Sequence, residues 1–99
     1  MSYTYHEVTD IINSQKPFLE SKYGLEKIGI FNFQLDKHGV KEADFLVRFK
    51  KPIGMKFIDF TEFIESLLNV DGEFLTEEGL ESLNDEAFKN GIKNKVHNV

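Results

Sequence analysis

Ninety-nine residues, with 17 acidic against 12 basic side chains and a formal charge of -5, allow one domain, 1–99, and no second one. Ten phenylalanines within a 40% hydrophobic composition exclude a disordered polymer and predict a packed core. The acid excess repels phosphate backbones and so excludes direct, nonspecific nucleic-acid binding, and the absence of cysteine excludes disulfides, thiolate catalysis and zinc thiolate sites.

The opening MSYTYHEVTD has neither the basic nor the apolar region of a signal peptide, and no run approaches the ~18 apolar residues of a membrane span. The expectation is a cytoplasmic protein with no membrane association. Val8, Ile11, Ile12, Phe18, Leu19 and Tyr23 then form the apolar face of a first helix. Pro17 threatens its continuity, and Ser14 is placed to cap a restart. Gly24 reads as the stop, because glycine adopts positive φ freely.

Residues 27–33 read as a strand, and the polar stretch 34–40, with Gly39, as the turn after it. A second strand is expected over 42–49, where Phe45, Leu46 and Val47 in succession predict burial on both faces. Residues 50–54 end it. Residues 56–69 carry the clearest helical pattern, with Phe57, Phe60, Ile64, Leu67 and Leu68 on one face and Asp59, Glu62 and Glu65 mainly outside. Glu73, Phe74 and Leu75 form a brief strand, and Thr76 followed by two glutamates favours a helix start. The tail 88–99 is weakly amphipathic and is expected to fray. Helix, strand, turn, strand, helix, strand, helix describes an α/β layer.

KEADFLVRF holds the residues that point to chemistry. Side chains alternate across a strand, so Glu42 and Asp44 share one face and Ala43 takes the other. Two such carboxylates, with a third from a neighbouring strand, can hold a divalent metal against nucleotide phosphates. Solvated acids at a strand start are the plainer interpretation. His6 and His97 lie near the termini and His38 in the polar turn, where a solvated imidazole is expected rather than a general base. Tyr3 and Tyr5 carry no pattern that assigns them a role.

PFLESKYGLEKIGIF, KEADFLVRFKKPIG and GEFLTEEGL, in this order and spacing, resemble the minimal nucleotidyltransferases of the DNA polymerase beta superfamily. These are small proteins often paired with HEPN toxins as antitoxins. The resemblance runs over residues 17–96 and implies a nucleotidyltransferase-like α/β fold, a small mixed sheet packed against helices. It implies Glu42, Asp44 and Glu73 as the metal-binding acids, with Glu73 the catalytic group that aligns an acceptor hydroxyl, and Mg2+ and ATP as cofactors of an active member. Asn32 and Phe33 stand where the family has the glycine and serine that receive the triphosphate.

The departures fall where the chemistry would be. Phe33 offers no hydrogen bond, and its ring is expected to occupy phosphate space, while Asn32 keeps an amide donor. The connection that follows is shorter than the family's and lacks its arginine-glycine pair. Glutamate replaces aspartate at 42 and 73, and one added methylene disturbs the near-ideal octahedron that magnesium demands. Loss of one preorganised transition-state donor costs about 3 kcal/mol. The resemblance with these departures implies a degenerate member without efficient transfer, acting as an antitoxin-like partner of a HEPN-type toxin. The alternatives are a divergent enzyme moving AMP from ATP to a protein hydroxyl, and a structural module whose acids are merely solvated. A homodimer is plausible for so small a domain, with no symmetry specified.

Overall fold

The first helix, α1 (Tyr5–Tyr23), runs unbroken through Pro17 in the computed structural model, which describes residues 3–99. No restart occurs at Ser14, whose hydroxyl donates to the Ile11 carbonyl at 2.7 Å. Proline costs an interior helix about 3 kcal/mol, but burial of Val8 and Ile12 before it and Leu19 and Tyr23 after it holds both halves to one core. Thr4 caps the start in a reciprocal box: its hydroxyl accepts from the Glu7 N–H, and the Glu7 carboxylate accepts from the Thr4 N–H. Gly24, at φ 71°, ends the helix as expected.

Four strands follow: β1 (Leu25–Asp36), β2 (Gly39–Phe49), β3 (Asp71–Thr76) and β4 (His97–Asn98). Their order is β3-β2-β1-β4, with β2 and β3 parallel and the other neighbours antiparallel. Helix α2 (Lys56–Leu68) makes the crossover between the parallel pair. α1 and α2 cover one sheet face, closing a core around Ile30, Phe45, Val47, Phe60, Ile64 and Leu68. Two shorter helices, α3 (Glu77–Glu81) and α4 (Glu86–Lys95), sit on the opposite face, where Leu80 and Ile92 meet Leu46. This is a mixed α/β fold, helices packed against a small mixed sheet. It also explains why Phe45, Leu46 and Val47 are all buried in succession.

The C-terminal end differs from expectation. Asp85 caps α4 by accepting from the Phe88 N–H at 3.0 Å, and the last residues pair with β1 instead of fraying. Gly29 permits that approach: a Cβ there would stand 2.5 Å from Val96 Cγ2 and 3.2 Å from the His97 carbonyl. The Lys16 ammonium donates to the Val99 carbonyl, tying this end to α1. Among the described residues, no helix is long and apolar enough to cross a membrane.

α1 and α2 are also joined by a polar contact, Tyr23 Oη donating to Asp59 Oδ2 at 2.6 Å. Burial, then this bond, pushes the Tyr23 hydroxyl up from 10.0 to about 12. The same bond, helped by the Lys22 ammonium, holds Asp59 below its ordinary 3.8. A raised tyrosine contributes stability that is complete below its unfolded value and is lost as pH climbs through the folded one. Stability is therefore expected to fall between pH 10 and 12. Tyr23→Phe should flatten that fall and cost about 1.5 kcal/mol at neutral pH, read by urea melts across the range.

Candidate functional site

Sheet parity decides which polar side chains meet. β1 and β2 pair Ile30 with Phe45, then Asn32 with Asp44, leaving Phe31 as a bulge. That extra residue reverses the alternation, so Asn32 comes round to the face of Asp44 while Phe31 joins the small cluster under α3 and α4. A second irregularity, at Lys41, brings Gln34 opposite Glu42 while Leu35 pairs with Val40. Parallel pairing adds Glu73 beside Asp44 and Asp71 beside Glu42. Two rows result, Asn32-Asp44-Glu73 and Gln34-Glu42-Asp71, on the end of the sheet that α3 and α4 leave open.

These six residues, with Glu65 and Gly72, line an open cavity of about 360 Å³. Glu42 and Asp44 are half-buried and Glu73 is exposed. Asn32 donates its side-chain amide to Asp44 Oδ2 at 3.1 Å, and Glu65 Oε2 accepts from the Gly72 N–H at 3.0 Å. Among the described residues, no lysine, arginine or histidine pairs with Glu42, Asp44, Glu65, Asp71 or Glu73. Carboxylate oxygens are the donors that Mg2+ prefers. As arranged, however, no three His, Asp or Glu groups among the described residues are placed to hold one metal ion. The donor type fits the metal and the geometry does not.

The three acids singled out from the sequence thus share a cavity, and Asn32 joins them. Phe33 does not line that cavity. It pairs with buried Ala43 on the other face and packs against Tyr5, ring centroids 4.7 Å apart. The polar stretch expected as a turn is mostly strand, and the reversal takes only Lys37 and His38. A two-stranded arm therefore stands where the resemblance would have a phosphate-receiving turn. His38 lies at the arm's tip, its N–H donating to Asp36 Oδ1 at 2.7 Å. His6 faces Asp10 along α1, and His97 is in β4.

Sequence reasoning missed Gln34, Glu65 and Asp71. Asp71 and Gln34 each lie two residues from a residue already singled out, on the same strand, so alternation was a signal for both. Nothing local marked Glu65, which turns inward from α2 because the Gly72 N–H needs an acceptor. A larger cavity, about 530 Å³, lies at the other end of β2 and β3. Arg48 bridges Glu26 and Glu77 along its wall, at 2.8 and 3.8 Å.

The chain is 28% identical over 82 residues to the protein adenylyltransferase MntA of Thermococcus cleftensis, an alignment spanning 80% of this chain and 83% of that relative. No protein-family model and no solved structure matches the chain. The chain therefore has distant sequence similarity to a MntA-like nucleotidyltransferase family member.

Proposed function

We propose that this chain is a degenerate nucleotidyltransferase-fold protein that works by protein contact, as the antitoxin-like partner of a HEPN-type toxin. The observation that carries this reading is the open cavity, where Glu42, Asp44, Glu65, Asp71 and Glu73 gather without a cation of their own chain among the described residues. Carboxylates concentrated on one face raise the local negative potential and steer a basic partner, such as a ribonuclease with a cationic substrate groove, into contact. Support against efficient catalysis comes from the β1–β2 arm, from Asn32 spending an amide proton on Asp44, and from the lack of a converged metal set.

The rival reading is AMP transfer from ATP to a protein hydroxyl, with Glu42, Asp44 and Glu73 as its acids. Their shared cavity favours it. Incubation with Mg2+, labelled ATP and a HEPN-type ribonuclease separates the two. The expected result is a salt-sensitive complex and no more AMP on the ribonuclease than Asp44→Ala leaves there. Robust labelling that Asp44→Ala abolishes would overturn the proposal.

A further inference from the structure

The arm leaves one strand edge unpaired. β4 meets β1 only at Gly29 and Ile30, and Val99 bonds to Ile28, so the outer edge of β1 from Phe31 to Asp36 has no neighbour among the described residues. Folded proteins guard such edges with lysine, proline or a covering element. Here the edge reads Phe-Asn-Phe-Gln-Leu, uncharged until Asp36, with Phe33 and Leu35 on one face 40% and 60% exposed. On the arm's other edge Tyr3 bridges to Val40, and an arm of two full strands with one apolar face still gains by acquiring a third.

We infer that the third strand is the same edge of a second copy, paired antiparallel about a two-fold axis at Gln34. The pattern of the edge selects this occupant, because it is its own complement in that register. Phe33 falls opposite the second copy's Leu35, and Leu35 opposite its Phe33, giving two apolar pairs on one face. On the other face Asp36 falls opposite Asn32, an amide with two donors, of which Asp44 takes one. No two charges of like sign stand opposite each other. A one-residue shift of register would set apolar against polar side chains throughout. Paired this way, the two sheets become one continuous sheet through an isologous contact. Six edge residues per copy bury less than a standard interface, so the dimer forms in the micromolar range or weaker.

Sedimentation equilibrium from about 5 to about 500 µM reads this directly. The expected mass rises from monomer towards dimer, and Leu35→Glu and Phe33→Lys each hold the chain monomeric at the top of the range. Both substitutions are at exposed positions, and unchanged circular dichroism and melting temperature establish that the variants fold. The decisive measurement mixes the two variants. In the register inferred, residue 33 of one copy opposes residue 35 of the other, so a Lys–Glu pair and an intact Leu–Phe pair form and the mixture dimerises. A wild-type chain monomeric throughout overturns the inference. So do a dimer indifferent to both variants, which lies on another surface, and variants that lose association without recovering it on mixing. If Leu35→Glu fails to fold, Leu35→Thr replaces it, with at least a tenfold loss of association expected and none overturning the inference.

Discussion

Phe60→Ala is expected to destabilise the chain by about 4 kcal/mol and to lower its melting temperature by roughly 20 °C. Phe60 is fully buried at the centre of an aromatic cluster. Its ring meets Tyr23, Phe49 and Phe74 edge-on, with centroids 5.3, 5.1 and 5.8 Å away, and lies 6.4 Å from Phe57. Edge-to-face pairs add to the burial of each ring, and four neighbours around one side chain cannot all move in to fill its space. The cost is therefore transfer plus cavity. Domains of this size hold roughly 5–15 kcal/mol in all, so the loss takes a large share. Phe88→Ala, at a position half exposed on α4, should change stability by less than about 1 kcal/mol. Paired urea melts of the two variants check this, and equal effects would remove Phe60 from the centre of the core.

Reversing the charge of the acid face should act on binding and spare the fold. Glu42→Lys with Asp44→Lys moves the formal charge from -5 to -1, as each reversal adds two. Both side chains are half-buried, Asp44 accepts from the Asn32 amide, and their carboxylate neighbours Asp71 and Glu73 gain an opposite charge. The melting temperature should stay within a few degrees of the parent. Affinity for a basic HEPN-type ribonuclease should fall by about 100-fold or more, because like charges now meet across the contact. The parent complex should weaken as salt rises, and the variant should show much less of that dependence. Calorimetry at two ionic strengths measures both effects. Unchanged affinity in the reversed variant would take the acid face out of the interaction.

How much of this was legible beforehand depends on how local each signal is. Gly24 as a helix stop, Thr76 as a helix start and the apolar face of α2 rest on single-residue chemistry or a 3.6-residue period, and all three are found. The shared orientation of Glu42 and Asp44 is likewise a matter of two-residue alternation. Pro17 does not break α1 because the core contacts that flank it on both sides outweigh its intrinsic propensity. The arm over 34–40 resembles a turn in sequence because Gln34 and Asp36 are polar, although a strand exposed on one face is polar there by necessity.

Composition and pattern alone determined the acid excess, a phenylalanine-rich core, the order of most elements and the pairing of two carboxylates on one strand face. These follow from residue type and spacing, which need no partner in space. Only the tertiary structure decided that Asn32 faces the acids and Phe33 does not, because one bulge residue reverses every later side chain on the strand. It alone also decided that Glu65 joins the cavity, and that β4 closes part of the β1 edge while leaving the arm uncovered. Registers and edges are relations between distant segments, and a linear pattern does not contain them.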